Sequence, residues 1–483
     1  MKIKSVRFNF IMNFLLTVSQ FVFPLITFPY ISRVLQPAGT GSVAFAGAVI
    51  SYFTMFAMLG VPTYGIRACA KVRENKEELS RTVHELFIIN SIMLIICYII
   101  FGIMLFTIKE FQEDKVLLIV YSAAMFLNVI GANWLYSALE QYTYITFSSM
   151  VFKVLSIILM FAFVHTKKDY VIYGGITVLA NAGSYLLNFI RLRRFISLRA
   201  VGNYNFRKHI RPILVFFSLS VATTVYTSLD TVMLRFMATK VDVGYYSAAV
   251  KVKTVLVSLV TSLGAVLLPR LSFYIETGKI AEFRRIIAKA VNFVLLLSLP
   301  LTVYFTFYAR ESILLLSGKE FLGAVLPMCI MTATTIMIGL SNVFGIQVLV
   351  PTGGEKKVVI SVVIGAVVNL ILNAIFIPRY AAIGTAIGTM VAEVVVTLVQ
   401  VIYLREMLWK MRGDIHWKQI GGALIVSTIV IWGVRNYLII DSAFIMLSVS
   451  AVIYFGAYGI TLLVMREPFV TETVEMIMRK IKK

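Results

Sequence analysis

Charged residues are scarce in this chain. Only 14% of its 483 residues are Asp, Glu, Lys or Arg, whereas 59% are hydrophobic and the mean hydropathy is +0.89. A soluble globular domain averages about 25% charged and about 45–50% apolar residues. The composition therefore excludes an ordinary soluble enzyme and predicts a polytopic membrane protein.

Cysteine and histidine are also rare, and their spacing matches neither a disulfide framework nor a metal-binding motif. The three cysteines, Cys69, Cys97 and Cys329, lie far apart, so we expect neither a disulfide framework nor a CxxC metal site. The four histidines form no HExxH pattern, and the chain has no GxxxxGK[ST] phosphate loop. We therefore predict a protein that binds no metal or cofactor, is not an enzyme, and is not an ATP-driven pump.

Apolar runs long enough to cross a bilayer recur through the chain. A span needs about 20 mostly apolar residues, and we predict fourteen. Their ranges are 9–32, 41–63, 86–108, 115–139, 144–165, 170–190, 212–236, 243–269, 289–309, 323–350, 358–377, 381–404, 419–438 and 442–465. The first run has no short apolar region ending in a cleavage site, so it is predicted to be a retained span and not a signal peptide. The predicted fold class is an all-α polytopic membrane protein.

Positive charge far exceeds negative charge, and its placement predicts the topology. The 45 Lys and Arg residues against 23 Asp and Glu residues give a formal net charge of +22. In a soluble domain this excess would suggest nucleic-acid binding. Here most basic residues fall in the two tails and in alternate loops, and such charge is retained in the cytoplasm. We expect both termini to be cytoplasmic, membrane lipids to be contacted, and no nucleic acid to be bound.

Two pairs of similar segments indicate an internal repeat. RVLQPAGTGSVAFAGAV (33–49) is similar to RFMATKVDVGYYSAAV (235–250), and YGGITVLA (173–180) to IGTAIGTM (383–390), although chance similarity of apolar segments is the alternative. We predict two six-helix lobes with a parallel pseudo-two-fold axis, which would rock around a substrate. The predicted parts are an N-lobe at 1–195, a basic cytoplasmic linker at 196–211, a C-lobe at 212–404, and two further spans with a basic tail at 405–483.

Ionisable residues inside the predicted spans are the main candidates for a substrate path, because hydrocarbon offers them no water. Asp230 and Lys251 lie at similar depths in neighbouring spans, so they can meet across an antiparallel hairpin. Lys153 has no acidic residue in its own span. Glu393 lies in a stripe of threonines. Purely structural roles are the alternative for the Asp230–Lys251 pair and for Glu393.

The first predicted span combines polar residues with two prolines. Asn13 and Gln20 lie on roughly one helical face, as polar lining of the predicted cavity. Pro24 and Pro29 are predicted to break the helix and to serve as its hinge.

The charges of the predicted cavity are mainly positive. Arg33, Lys153 and Lys251 stand against Asp230 and Glu393. A positive cavity favours an anionic ligand, and lysine is a good point charge for phosphate. The two acidic residues are also candidates for ion coupling.

Five segments carry a family resemblance: FPYISRVL (28–35), GVPTYGIR (60–67), WLYSALEQY (134–142), GYYSAAVK (244–251) and LLPRL (267–271). They resemble the Wzx-type oligosaccharide flippases, polysaccharide-biosynthesis proteins of the superfamily that includes the multidrug/toxin-extrusion (MATE) transporters. The resemblance implies a fourteen-helix transporter that flips polyprenyl-pyrophosphate-linked oligosaccharide across a bacterial plasma membrane, with polysaccharide polymerase machinery as a further partner. It also implies a cationic cavity, which carries onto Lys153 and Lys251 and then onto Arg33, Arg67 and Arg270.

Three other functions are open from the sequence. A flippase for the peptidoglycan lipid precursor would likewise have to carry a pyrophosphate across the hydrocarbon of the membrane. A cation or drug antiporter of the same fold is disfavoured by the excess of cavity lysine over acid. A membrane polysaccharide polymerase is disfavoured because the predicted outer loops are too short to assemble a catalytic site.

Overall fold

The computed structural model describes residues 6–437 and 440–481, and within these ranges the chain is nearly all helical and forms no strand. The helices are α1 (Val6–Met58), α2 (Val61–Val72), α3 (Lys76–Thr107), α4 (Lys109–Glu113), α5 (Lys115–Gly131), α6 (Asn133–Ala138), α7 (Tyr142–Phe163), α8 (Tyr170–Ala182), α9 (Ser184–Leu192), α10 (Arg207–Met237), α11 (Lys240–Glu276), α12 (Ile280–Phe307), α13 (Ala309–Ser317), α14 (Val325–Ser341), α15 (Glu355–Met411), α16 (Trp417–Tyr437), α17 (Ala443–Val464) and α18 (Pro468–Ile481). A π-helical segment, Asn342–Leu349, follows α14.

The helices have the length and composition of membrane spans. Among the described residues, eleven helical segments are long and apolar enough to cross a bilayer, or twelve if the bent pair α8–α9 is one span. Two of the eleven, Phe14–Val72 and Glu355–Asp414, are 59 and 60 residues long, more than twice what one crossing needs. The predicted all-α, multi-span fold is confirmed, whereas the count of fourteen stays a prediction.

The two longest helices each contain one non-helical residue. Gln36 (φ 59°) interrupts α1, and Ala381 (φ 45°) interrupts α15. Pro37 directly follows Gln36, and a proline is well suited to the first turn of a helix because its missing N–H would have no helical partner there. The break at Gln36 therefore lies in a predicted connecting loop, and the break at Ala381 lies at the first residue of the predicted span 381–404.

The backbone stays helical through Pro24 and Pro29. The expectation that these two prolines break the helix is wrong, because the interruption lies at Gln36. A proline inside a helix removes one backbone donor, and packing against neighbouring helices makes that loss tolerable in membrane proteins. A hinge role for the two prolines stays a prediction.

Several helices continue past the ends of the predicted spans. Helix α15 reaches Met411 and α11 reaches Glu276, into segments predicted as loops. Lys, Arg and Glu are good helix formers, so a helix need not end where its apolar run ends. The basic residues of these segments consequently lie on helical extensions.

The chain divides into two compact units, Met1–Gly244 and Tyr245–Lys483. In the first unit α5 packs against α1, α3, α8 and α9, around buried side chains that include Phe45, Leu117 and Met125. Outward-facing residues of α3 such as Ile99 and Ile103 are 59% exposed. An apolar outer surface is what a lipid-facing helix requires. The predicted lobe boundaries stay a prediction.

The second unit has two hydrophobic clusters. One joins α12 to the π-helical segment and includes Val291, Leu295 and Phe344. The other joins α12 to α16 and α17, and there the Tyr304 hydroxyl donates to the Leu447 carbonyl at 2.6 Å. The buried hydroxyl of Tyr304 is thus satisfied, as an apolar surrounding demands.

Gly41 and Gly244, one from each of the similar segments 33–49 and 235–250, lie in close backbone contact within the first unit. A Cβ added to Gly41 would overlap the carbonyl oxygen of Lys240, and one added to Gly244 would overlap that of Pro37. Only glycine permits such an approach. The two similar segments therefore pack on each other through their glycines.

We expect Gly41→Ala to destabilise the protein by about 1–3 kcal/mol, the usual cost of forcing extra volume into packed structure. The measurement is the thermal unfolding midpoint of the purified protein in detergent. Gly102→Ala is the matched control, because a Cβ there has no atom within 4 Å. A Gly41→Ala midpoint equal to that of Gly102→Ala would show that the backbones are not in contact.

Four charged side chains join α4 and the start of α5 to the end of α10 and the start of α11. Arg235, only 6% exposed, donates to Glu113 at 2.6 Å, and Lys240 donates to Asp114 at 3.0 Å. The hydrogen bond from Arg235 holds the pKa of Glu113 below its usual value, and the positive charges of Arg235 and Lys240 add to the effect. These ion pairs therefore help to hold the end of α10 and the first residues of α11 against the junction of α4 and α5.

The Glu113 contribution to stability should depend on pH. A folded-state pKa below the usual 4.5 means that the contribution is fully present above pH 4.5 and is lost as the pH falls through the folded-state pKa. We expect Glu113→Gln to lower the unfolding midpoint at pH 7 and to lower it less at pH 3, where the unfolded-state carboxyl is protonated. Glu110→Gln, at a nearby carboxylate that makes no ion pair with any described residue, should be neutral at both pH values. A Glu113→Gln deficit that is the same at both pH values would exclude this linkage.

Candidate substrate cavity in the first unit

A polar cavity of about 270 Å³ lies in the first unit and contains Lys153. Two other predicted site residues, Gln20 and Pro24, lie in its wall. The structure therefore brings together three of the side chains selected from the sequence. The polar lining consists of Gln20, Asn133, Ser149, Lys153, Asn181 and Ser184.

Lys153 lies on α7 and is 7% exposed. Its Nζ donates to the Ser19 hydroxyl at 2.6 Å, and that hydroxyl donates to the Leu16 carbonyl at 2.6 Å. This is the one hydrogen bond that the described part of the chain gives the ammonium group, which has three donors. Two N–H donors of Lys153 are thus available to a ligand in the cavity.

Two irregular helices shape the cavity wall. Helix α5 ends at Gly131, Ala132 adopts a left-handed conformation (φ 40°), and α6 then starts at Asn133. Tyr185 occupies the space that a Cβ of Gly131 would need. Helices α8 and α9 meet at Gly183 with a 43° bend. Irregular backbone at membrane depth is tolerated where it is buried in protein or lines a cavity.

Among the described residues that line this cavity, one side chain is cationic and the others are neutral. Among the described lining residues, Lys153 is charged and no carboxylate is present. The Asn133 Oδ1 atom is buried and has no hydrogen-bond partner among the residues that the structure describes. An ammonium group surrounded by amides and hydroxyls can bind an anion and, beside it, a polyhydroxylated group such as a sugar.

The other predicted basic residues do not line this cavity. Arg33 and Arg67 are exposed on α1 and α2. In the second unit, Arg270 is exposed on α11 and donates to the Tyr274 hydroxyl at 3.0 Å, whereas Lys251 is partly buried on the same helix. Their roles in substrate binding stay predictions.

The two predicted acidic residues are buried in different units. Asp230 lies on α10 in the first unit and is 7% exposed, whereas Glu393 lies on α15 in the second unit and is 4% exposed. Thr389 and Thr397, from the predicted stripe of Glu393, are buried as well. The Asp230–Lys251 pair stays a prediction, and the Asn13 side chain lies outside the described residues.

Sequence reasoning found Gln20 but missed the other neutral polar residues of the cavity. Asn133 and Asn181 each stand in a mostly apolar predicted span, two residues from a glycine. Gly131 and Gly183 mark the ends of the helices on which the wall depends. An amide close to a glycine inside an apolar run was the signal that could have identified both residues.

The sequence of this chain is similar to a described protein family and to named proteins. The family model described as polysaccharide biosynthesis protein matches residues 6–274, which is more than half of the chain. A protein of Escherichia coli (strain K12) named "Putative O-antigen transporter" is 26% identical over 365 residues, covering 73% of this chain and 85% of that protein. A Shigella dysenteriae protein of the same name is 23% identical over 370 residues, covering 72% and 87%.

Solved structures share the fold. The structure described as "Lipid II flippase MurJ, inward closed conformation" superposes with a TM-score of 0.75 at 15% identity, covering 95% of this chain and 100% of that chain. An inward-facing multidrug resistance MATE family transporter of the MOP superfamily gives 0.65 at 15% identity, covering 82% and 96%. At this identity the likeness shows the fold alone.

Proposed function

Since the chain belongs to the polysaccharide biosynthesis protein family, we propose that it flips polyprenyl-pyrophosphate-linked oligosaccharide repeat units from the inner to the outer leaflet of the bacterial plasma membrane. The units would serve capsule, O-antigen or other surface polysaccharides. The names of the Escherichia coli and Shigella dysenteriae relatives support this substrate class. Those relatives are named as transporters, in agreement with the expectation that the chain is not an enzyme.

The observation that carries the proposal is the Lys153 cavity. A pyrophosphate cannot enter hydrocarbon without a solvating partner, so a flippase has to supply cationic and polar groups along its path. The cavity supplies one ammonium group with neutral amides and hydroxyls beside it. Its volume of about 270 Å³ suits a phosphate with part of one sugar, while the polyprenyl tail stays in the bilayer.

The wider mechanism is alternating access by two repeated lobes. In this proposal fourteen spans keep both termini cytoplasmic, and Arg33, Arg67, Arg270 and Lys251 extend the cationic path. Asp230 and Glu393 are the candidates for ion coupling, because each is an acid buried within a helical unit. The fold likeness to an inward closed flippase and an inward-facing transporter supports a rocking mechanism.

The cavity lining separates this proposal from one of its two main alternatives, the cation or drug antiporter. A cation or drug antiporter needs an acidic site, and none of the described residues that line the Lys153 cavity is acidic. The peptidoglycan lipid precursor carries the same pyrophosphate, so a lysine alone does not distinguish the two lipid substrates. Analysis of the intermediate that accumulates when the protein is removed does: oligosaccharide on the polyprenyl carrier supports the proposal, and peptidoglycan precursor contradicts it.

We expect Lys153→Ala to reduce translocation at least tenfold, because a hydrogen bond to a charged group is worth about 1.5–3 kcal/mol. Lys153→Arg keeps the charge and should retain more activity than the alanine variant. The measurement is surface polysaccharide in a strain that lacks the native protein, together with the amount of lipid-linked intermediate.

Lys168→Ala is the matched control for Lys153→Ala, because it removes an exposed lysine from the segment between α7 and α8. It should leave translocation unchanged. Protein amount and thermal unfolding are measured for each variant, so that a folding defect is recognised. Full activity of a folded Lys153→Ala protein would remove this cavity from the transport path.

The topology makes a separate prediction. In a cysteine-free background, Arg199→Cys on the basic linker should react with a membrane-impermeant thiol reagent only from the cytoplasmic side. Lys168→Cys should react only from outside, because an odd number of spans separates the two positions in the predicted topology. Both native side chains are exposed, so access is not limited by packing. Labelling of both cysteines from one side would overturn the predicted orientation.

A further inference from the structure

A second cavity, of about 630 Å³, lies in the second unit where α11 ends, α12 begins and α15 ends. Its wall contains three basic side chains, Arg284, Arg405 and Lys410, and one acidic side chain, Glu406. Phe283, which is 2% exposed, contributes to an apolar part of the wall. The cavity is therefore amphipathic, with an excess of positive charge.

The basic groups of this cavity have no ion-pair partner among the described side chains. In the part of the chain that the structure describes, Arg284, Arg405 and Lys410 make no ion pair. By contrast, Lys289, on the same helix as Arg284, pairs with Glu472 at 3.0 Å. Three unpaired cations around one cavity repel one another, and an anionic ligand would relieve that repulsion.

Aromatic residues place the cavity at a membrane surface. Tyr403, Trp409 and Trp417 are 38%, 68% and 56% exposed. The Lys357 ammonium lies 5.4 Å from the ring centroid of Tyr403, and the Arg412 guanidinium lies 4.1 Å from that of Trp409. Exposed Trp and Tyr are enriched at the level of lipid headgroups, and the many basic residues here assign this level to the cytoplasmic leaflet.

We propose that this cavity binds the phosphate of an anionic phospholipid from the cytoplasmic leaflet. The two arginines can each bind a phosphate through paired N–H groups, and Lys410 adds a point charge. The apolar wall suits the glycerol and first acyl carbons. Basic pockets between membrane helices on the cytoplasmic side bind phospholipid headgroups, and the volume lies in the range of ligand sites. The site lies in a different unit from Lys153 and does not depend on the proposed flippase function.

The test titrates phosphatidylglycerol into the purified full-length protein in a neutral detergent and counts bound lipid by native mass spectrometry. We expect Arg284→Gln/Arg405→Gln to weaken the apparent affinity at least tenfold. Glu406→Gln should strengthen it several-fold, because it removes the one negative charge that lines the cavity. Arg193→Gln/Arg194→Gln is the matched control, since it removes two exposed arginines that directly follow α9 and should change the affinity less than twofold.

Three results would overturn the proposal. Phosphatidylcholine that binds as tightly as phosphatidylglycerol would exclude recognition of net negative charge. Displacement of the lipid by millimolar inorganic phosphate or glycerol phosphate would identify a site for a soluble phosphate. Wild-type affinity of Arg284→Gln/Arg405→Gln would place the lipid elsewhere. Should that variant not fold, Glu406→Gln and Arg284→Lys/Arg405→Lys decide, with tighter and weaker binding expected, respectively.

Discussion

The need to solvate the buried ammonium group of Lys153 constrains the structure of the first unit. A charged group in a bilayer needs polar partners or water, since hydrocarbon supplies neither. The Lys153 ammonium donates one hydrogen bond to the Ser19 hydroxyl, and the amides and hydroxyls of the cavity supply a polar surrounding. Removing one partner of a buried charge is strongly destabilising. Placing one lysine on α7 therefore requires a polar wall around it, which the lining residues supply.

Irregular backbone is the second constraint, because an unpaired peptide group is costly at membrane depth. The described part of the chain contains such irregularities at Gln36, Ala132 and Ala381, and a π-helical segment after α14. Ala132 and the bend at Gly183 flank the Lys153 cavity. Two of these departures from regular helix thus flank the Lys153 cavity, and two others interrupt the two longest helices.

Hydropathy was enough to predict the all-helical membrane fold, and the absence of an acidic partner was enough to select Lys153. The position of the first helix break was not predictable in this way. We predicted the break at Pro24 and Pro29 because a proline removes a backbone donor. The helix is instead interrupted at Gln36, and no pattern in the composition reveals its φ of 59°. Neutral lining residues such as Asn133 were missed because the mean hydropathy of an apolar run changes little when one residue of the run is an amide. Helix ends were misplaced because Lys, Arg and Glu extend a helix beyond its apolar part.

Selectivity imposes a further condition on any flippase of a phosphorylated lipid. Phospholipid phosphates are abundant in the same membrane, so a cation alone would be occupied by the wrong lipid most of the time. Specificity is a difference between affinities, and it has to come from groups that interact with the sugar and not with the phosphate. In the proposed function those groups would be the neutral ones of the first unit, such as Asn133, whose Oδ1 is buried without a hydrogen-bond partner among the described residues and could accept a hydrogen bond from a sugar hydroxyl. The basic cavity proposed as a lipid site in the second unit needs no such discrimination. A site that binds phosphate without contacting a sugar is suited to the abundant anionic phospholipids of the membrane. We infer that the amides beside Lys153 determine which lipid is carried, whereas Lys153 determines only that it bears a phosphate.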